Sequence, residues 1–268
     1  MSVDDIYHLH QGSTPLLVSL PHVGTRIPET LRKRYRPDAL ALPDTDWHLD
    51  RLYAFARDEL GASLIVPRCS RYVIDLNRPP ENLPMHPGAN NTELCPTRAF
   101  TGEPIYIANR EPNAAEVAHR VDTFGRPYHA ALNAELQRLR AVHGRALLWD
   151  GHSIKSELPW LFKGRLPELN LGTHDGASCA PALRERLSAV LAVQRRYTQV
   201  TDGRFKGGYI TRHYGQPGQG VHAVQMEMCW STYMAEEAPP FAYDEARAGE
   251  VQPLLRQLLQ NLLAWRPA

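Results

Sequence analysis

The sequence predicts an α/β fold, in which one mixed, mostly parallel sheet is flanked by helices. Short apolar runs of strand length alternate along the chain with longer segments whose apolar residues recur at helical spacing, a pattern typical of this class. The chain has 268 residues, enough for one large α/β domain or two small ones. Because we find no internal repeat and no linker-like segment, we expect a single domain spanning residues 1–268.

The first predicted elements are a strand at 16–20, a helix from about 46 to 60, and strands at 63–66 and 72–76. The strands are short apolar runs. The helix has apolar side chains at helical spacing and a glycine directly after its end. Residues 79–112 are rich in proline, asparagine and glycine and show no sustained period. We expect a long loop there, and loops of that length in compact domains are usually functional.

A long helix is predicted to begin after Asn113, because Asn113 and Glu116 form a capping pair. Pro127 should kink this helix. The same two kinds of spacing predict the remaining elements: a strand at 146–149, a helix at 181–194, a strand at 221–228 and a final amphipathic helix with an apolar stripe from 251 to 263. In such a sheet, ligands bind at the carboxyl ends of the strands.

Composition and charge argue against several classes of function. The net charge of +1 does not suit a nucleic-acid-binding protein, and no apolar run is long enough to span a membrane. The N-terminal segment is polar and lacks the features of a signal peptide. Four scattered cysteines without a C-x-x-C pair favour reduced thiols over a disulfide framework. We therefore expect a cytoplasmic protein that acts on a small molecule; nothing in the sequence indicates its oligomeric state.

Two histidines, His22 and His152, each follow a strand-like run and are candidates for a shared zinc ion. Catalytic zinc sites commonly use two histidines, one carboxylate and an open position for water. For the carboxylate, the sequence offers Asp44, Asp46 and Asp50. On a helical wheel, Asp46 lies nearest the apolar face and is the best candidate. The alternatives are that the histidines are hydrogen-bonded loop residues and that the acids only stabilise a helix start.

Asn77 and Arg78 leave the predicted strand at 72–76 together, with Arg71 before it. An arginine at the mouth of a cleft can bind both oxygens of a substrate carboxylate with its planar fork. For Arg71, a structural ion pair with Asp75 is the alternative. These residues predict a site for an anionic substrate.

Residues 203–215 form a glycine-rich basic segment that we interpret as a loop for an anionic substrate, with surface exposure as the alternative. Its polar side chains include Arg204, Lys206, Tyr209 and Arg212. The segment lacks the spacing of a phosphate-binding loop.

A single acid, Glu227, interrupts the strand at 221–228. A buried carboxylate is costly without a partner, and in a cleft it would suit a general base that takes a proton from water. The alternative is that strand alternation leaves Glu227 exposed.

Six segments together resemble the N-formylglutamate amidohydrolases, or N-formylglutamate deformylases, of bacterial histidine degradation. They are PHVGTRIP, DTDWH, SRYVIDLNRP, WDGHSI, GRFKGGYITRHYG and STYM. The resemblance covers nearly the whole chain, with the segments in the same order. More distantly, the chain is similar to the zinc carboxypeptidases and aspartoacylase, which implies a zinc-carboxypeptidase-like fold.

The resemblance implies metal-dependent hydrolysis of N-formyl-L-glutamate to L-glutamate and formate, the last step of a histidine degradation route. His22 and His152 match the first and last ligands of one Zn²⁺ ion, or of another divalent metal, and Asp46 is the candidate for the remaining ligand. Glu227 would act as the base. Substrate would be bound by Asn77 and Arg78, with further contacts from Arg71, Tyr209 and Arg212.

One departure from the carboxypeptidase pattern concerns the third metal ligand. That group uses a His-x-x-Glu motif, but Thr25 stands three residues after His22. The missing ligand must come from elsewhere, and the helical wheel favours Asp46. Other interpretations of the chain are a related N-acyl amino acid deacylase, a carboxypeptidase-like amidase, and a non-catalytic anion-binding module.

Overall fold

A seven-stranded mixed sheet forms the centre of the molecule in a computed structural model that describes residues 5–83 and 90–267. The strands are β1 (Tyr7–His10), β2 (Leu16–Ser19), β3 (Ser63–Pro67), β4 (Ala146–Ile154), β5 (Leu169–Gly172), β6 (Gln199–Thr201) and β7 (Val221–Cys229), in the spatial order β1-β3-β2-β4-β7-β5-β6. The four central strands β3, β2, β4 and β7 are parallel. Both β1 and β5 are antiparallel to their central neighbours. The predicted α/β class with a mixed sheet is confirmed.

Helices cover both faces of this sheet. They are α1 (Glu29–Arg32), α2 (Leu49–Leu52), α3 (Ala54–Asp58), α4 (Ala114–Arg120), α5 (Arg126–His143), α6 (Pro181–Val193), α7 (Tyr209–Tyr214) and α8 (Glu245–Ala264). Apolar side chains of α6 and α8 pack with Trp149 and Met226 on one face. Those of α5 pack with Leu148 and Ala223 on the other. None of the helices in the described part of the chain is long and apolar enough to cross a bilayer.

Strands β4 and β7 pair along nine residues each, and every one of those residues is buried. The sequence predicted that the first of these strands ends at Trp149. It continues to Ile154 because β7 supplies hydrogen-bonding partners along its full length. His152 is therefore inside a strand, where it pairs in register with Glu227.

The predicted helix at 46–60 is wrong at its start. Two short helices, α2 and α3, occupy its second part, and Asp46 lies in the preceding turn. His48 adopts a left-handed conformation with φ of 61°, which a continuous right-handed helix does not contain. The helical wheel predicted that Asp46 points inwards. Asp46 is buried, but it lies in a turn and not in the helix that the wheel assumed.

Residues 72–76 form turns and not the predicted strand. The amide of Val73 donates to the carbonyl oxygen of Ser70, and the amide of Asp75 donates to that of Leu94. The first bond closes a turn and the second ties the run to the segment of Leu94, so its apolar side chains enter the core without sheet pairing. Described residues of the predicted loop at 79–112, namely 79–83 and 90–112, contain no named helix or strand, and residues 84–89 lie outside the described residues.

The long predicted helix begins as expected, because Asn113 accepts a hydrogen bond of 3.0 Å from the amide of Glu116. A π-helical turn, Val121–Gly125, separates α4 from α5 immediately before Pro127. Pro127 lacks an amide hydrogen and so cannot continue the regular bonding pattern. Gly144 ends α5 in a left-handed conformation.

Candidate active site

A cavity lies at the carboxyl ends of the central parallel strands. Its lining includes His22, Asp46, the turns that contain Arg71, Asp75, Asn77 and Arg78, the ends of β4 and β7, and the segments 161–162 and 204–208. This is the position at which open α/β sheets usually bind ligands.

Three side chains of metal-binding type meet in this cavity. Ligand atoms of His22, Asp46 and His152 all lie within 4.8 Å of one another, and the three residues are buried. Oδ2 of Asp46 is 3.1 Å from Nδ1 of His152 and 3.5 Å from Nδ1 of His22. The amide of Asp46 also donates to the carbonyl oxygen of His22 at 3.1 Å. This bond ties the turn of Asp46 to the segment that follows β2.

Polar groups fix the outer ring nitrogens of both histidines. Nε2 of His22 is hydrogen-bonded to Oδ1 of Asp75 at 2.7 Å, and Nε2 of His152 to Nδ2 of Asn77 at 3.0 Å, with the charge of Asp150 at 3.2 Å. Both rings turn Nδ1 towards Asp46. In metal sites, a ligating imidazole usually gives its other N–H to a carboxylate, as His22 does.

Two atoms of the cluster, Nδ1 of His22 and Oδ1 of Asp46, are buried without a hydrogen-bond partner among residues 5–83 and 90–267. The Arg71 guanidinium is 3.6 Å from Oδ1 of Asp46. Buried polar atoms are normally satisfied. Two imidazole nitrogens and a carboxylate oxygen are a common donor set for Zn²⁺, so the residues present fit a divalent metal ion.

The two other carboxylates considered as ligands are not available in the same way. Oδ2 of Asp44 accepts hydrogen bonds from the hydroxyl of Tyr72 at 2.8 Å and from the amide of Phe100 at 2.9 Å. Asp50 is exposed on the first turn of α2. Of the three candidates Asp44, Asp46 and Asp50, Asp46 is the one that lies between the two histidines.

Charges within the cluster control its protonation. Burial alone would raise the pKa of Asp46, but the imidazoles of His22 and His152 outweigh burial and hold this pKa below its ordinary value. Burial alone would lower the pKa of His152, but Asp150 and Asp46 raise it well above the ordinary value. For Asp75, the Arg71 guanidinium and His22 outweigh burial and hold the pKa well below the usual range. Both carboxylates are therefore ionised at neutral pH.

Glu227 lies beside this cluster on β7 and is buried. Burial raises the pKa of its carboxyl to about 8. Nε2 of Gln225 donates to its Oε2 at 3.3 Å. Of the two interpretations of Glu227, an exposed strand residue and a residue that faces a cleft, the structure favours the second.

Three predicted substrate-binding residues line the cavity. Arg71 forms an ion pair of 2.7 Å with Asp75, as the structural alternative foresaw. Arg78 is 3.8 Å from the same carboxylate and donates to the hydroxyl of Thr92 at 3.0 Å. Nδ2 of Asn77 is 3.0 Å from Nε2 of His152. Asn77 therefore contacts a cluster histidine directly.

The structure does not bring Arg212 and Tyr209 into this cavity. Arg212 belongs to α7, and its Nε donates to the carbonyl oxygen of Gly207 at 2.7 Å. Tyr209 lines a second cavity, next to His129 and Val121. From the same basic segment, Arg204 and residues 205–208 line the first cavity instead.

Sequence reasoning assigned no role to Asp150 or Gln225, although a signal for both was available. Each stands two residues before a candidate, His152 or Glu227, on the same strand. Alternate residues of a strand share a face. Asp150 pairs in register with Gln225, so the four side chains form a buried polar patch at the ends of β4 and β7.

Comparisons with known proteins agree with this geometry. The family model described as N-formylglutamate amidohydrolase matches residues 14–234. A protein of Pseudomonas putida named N-formylglutamate deformylase is 51% identical over 98% of this chain and 97% of its own. One of the same name from Pseudomonas aeruginosa is 50% identical and covers 98% of both chains.

Two crystal structures have similar folds. One is titled as an N-formylglutamate amidohydrolase from Ralstonia eutropha; it superposes with a TM-score of 0.78 at 25% identity and covers 97% of this chain and 96% of that one. The other is a gene product from Agrobacterium tumefaciens with a TM-score of 0.72 at 18% identity, covering 97% and 95% of the two chains. At that identity, the second comparison supports the fold alone.

Proposed function

Because the chain belongs to the N-formylglutamate amidohydrolase family, we propose that it hydrolyses N-formyl-L-glutamate to L-glutamate and formate in this cavity. The observation that carries the proposal is the buried cluster of His22, Asp46 and His152 beside Glu227. The relatives suggest the substrate. The cluster suggests the reaction class, since such donors next to a carboxylate are typical of metal-assisted hydrolysis.

His22, Asp46 and His152 would hold one Zn²⁺ ion or another divalent metal ion. When bound, such an ion polarises a carbonyl group and makes water acidic enough to act as a nucleophile at neutral pH. The protein's part is to fix the donors before binding. Asp75 does this through the outer nitrogen of His22, and Asn77 through that of His152. Asp150, which accepts a hydrogen bond of 3.1 Å from Thr211, adds a negative charge 3.2 Å from the same nitrogen of His152.

Glu227 would act as the general base. It would take a proton from the attacking water as the new C–O bond forms, and return it to the amine nitrogen as the C–N bond of the formamide breaks. The position of Glu227, in register with His152 on the neighbouring strand, puts the proton acceptor next to a metal-binding residue. A cation at the cluster would also lower the pKa of Glu227 from its raised value towards the range of a base that works at neutral pH.

Arg78 would bind the α-carboxylate of the substrate. Its guanidinium reaches the cavity beside the Asp75 carboxylate, which itself contacts His22. The α-carboxylate is attached to the carbon that bears the formamide nitrogen, so its partner must lie close to the reacting centre. Asn77 would keep His152 in place beside it. Arg71, between Asp75 and Asp46, would add positive charge near the oxyanion.

We further propose that the reaction is the last step of a histidine degradation route and that it takes place in the cytoplasm, within a single domain. The step is what the resemblance of the six sequence segments to the N-formylglutamate deformylases of bacterial histidine degradation implies. All four cysteines are buried and free, which supports a reducing compartment.

The test is release of formate from N-formyl-L-glutamate by the purified protein, with N-acetyl-L-glutamate as the competing substrate. We expect formate release by the metal-loaded protein, its loss after chelation, and its recovery when Zn²⁺ is added back. Faster release of acetate would favour the related N-acyl amino acid deacylase. Binding of both compounds without turnover by metal-loaded protein would favour an anion-binding module.

A further inference from the structure

Arg204 differs from the other cations that line the cavity, because it has no carboxylate partner within the described ranges. Arg71 and Arg78 both contact Asp75, and Lys206 forms an ion pair with Asp175 at 2.9 Å. The Nη2 atom of Arg204 donates to a backbone carbonyl oxygen. Its Nε is buried without a hydrogen-bond partner among residues 5–83 and 90–267.

The surroundings of Arg204 hold its guanidinium in place. Nη2 donates to the carbonyl oxygen of Leu161 at 2.7 Å. The guanidinium carbon is 5.4 Å from the ring centre of Phe162, which packs edge-on against Phe205. Leu161, Phe162 and Phe205 all line the same cavity. Burial lowers the pKa of the Arg204 guanidinium, yet an arginine remains charged in proteins, so this is a fixed positive charge on an apolar wall.

A buried N–H without a hydrogen-bond partner costs free energy until something binds it, and Nε of Arg204 is such a group. The planar fork of arginine matches a carboxylate, which can accept two of its hydrogen bonds at once. Substrate is the remaining source of such a carboxylate, since the contacts of Arg204 include no acid of the described chain.

We infer that Arg204 binds the side-chain carboxylate of the substrate and makes the enzyme selective for N-formyl amino acids with an acidic side chain. This inference rests on the proposed function. The α-carboxylate lies next to the reacting amide. Its proposed partner is Arg78, which lies beside Asp75, near the cluster of His22, Asp46 and His152. The carboxylate carbon of the side chain lies two bonds farther from the reacting amide than the α-carboxylate carbon. Arg204 contacts the wall formed by Leu161 and Phe162 instead of the cluster.

The experiment compares N-formyl-L-glutamate with N-formyl-L-glutamine, which has nearly the same size and a neutral side chain. In metal-loaded Arg204→Met, kcat/KM for N-formyl-L-glutamate should fall by roughly 10- to 100-fold, mainly through KM, the range expected for losing hydrogen bonds to a charged group. The fall for N-formyl-L-glutamine should be much smaller, so that the preference for glutamate decreases at least tenfold. Arg204→Lys should retain part of the preference, because it keeps the charge and loses the fork.

Arg78→Ala is the matched control. Both substrates carry the α-carboxylate, so this variant should reduce turnover of both by similar factors and leave the preference intact. Equal losses on both substrates in Arg204→Met, together with a lowered melting temperature, would overturn the inference and assign Arg204 to holding the segment at 161–162. If Arg204→Met does not fold, an unchanged preference in Arg204→Lys overturns it equally. Equal use of both substrates by the unaltered protein would also overturn the inference, whereas hydrolysis of neither would contradict the proposed function.

Discussion

Replacing Glu227 by glutamine should abolish most activity without destabilising the fold. Glutamine keeps the size and hydrogen-bonding capacity of the side chain but cannot accept a proton from water. Loss of a general base typically lowers kcat by roughly 10²–10⁴-fold. We expect the loss in kcat with little change in substrate affinity, and we expect the metal to remain bound, because Glu227 is not among the proposed ligands.

The effect on stability follows from the burial of this carboxyl. In metal-free protein its pKa is about 8, against an ordinary value of 4.5. A carboxyl whose pKa is raised by folding binds its proton more tightly in the folded than in the unfolded state. The free energy of unfolding therefore decreases as the pH rises from about 4.5 to about 8. At pH 7 the cost is on the order of 3 kcal/mol. Because glutamine stays neutral, Glu227→Gln should be at least as stable as the unaltered protein at pH 7.

The assay combines zinc content, kcat, and the free energy of unfolding of chelator-treated protein between pH 5 and 8.5. The stability advantage of Glu227→Gln should be below about 1 kcal/mol at pH 5 and grow with pH. Glu135→Gln is a suitable control, since Glu135 is another buried glutamate, on α5, and binds Arg138 and Ser63 outside the cavity. That variant should lose stability and keep its turnover. Full activity of zinc-loaded Glu227→Gln would refute the proposed mechanism.

Three other predictions concern the metal and the substrate. His152→Ala should lose most bound zinc and nearly all turnover; a purified variant with stoichiometric zinc would show that the metal is held elsewhere. Asp46→Ala should behave in the same way and Asp50→Ala should retain both zinc and activity, as measured by metal analysis and formate release, while the opposite result would transfer the ligand to Asp50. Arg78→Ala should cost about 2–5 kcal/mol of transition-state binding in kcat/KM, and Arg78→Lys should recover little of it. Unchanged kinetics in Arg78→Ala would assign this arginine to the fold.

The sheet and the longer helices could be predicted because their apolar spacing is regular. Strands β2, β4 and β7 are apolar runs, and α5, α6 and α8 have apolar stripes that pack on the sheet. Strands β1, β5 and β6 were missed. They have only three or four residues, and in β1 and β6 these include polar side chains such as His8 and Gln199. Their pairing depends on neighbouring strands that local sequence does not reveal.

The two histidines of the cluster were predictable because each follows an apolar run, although His152 lies inside β4 and not after its end. The turns that carry Asp46 and Asp75 were not, because long-range bonds fix them. Asp46 donates its amide to His22, and Asp75 donates its amide to Leu94. Neither bond can be predicted from the local sequence. Spacing along segment 203–215 likewise does not show which of its residues line the cavity, because that depends on contacts with distant segments.

The nine-residue pairing of β4 with β7 places some of the cavity residues on a rigid strand pair and leaves others on connecting segments. This difference matters for how the cavity can evolve. Such a fully buried central pair opens only with the whole domain, so His152 and Glu227 occupy one of its most rigid parts. Arg78 and Arg204 extend from connecting segments instead, and such segments tolerate change better than the elements they join. Mutations there can change the shape and charge of that part of the cavity while His152 and Glu227 stay in register. We therefore expect mutant libraries restricted to residues 161–162 and 204–206 to be sufficient to obtain deformylases with new amino-acid preferences.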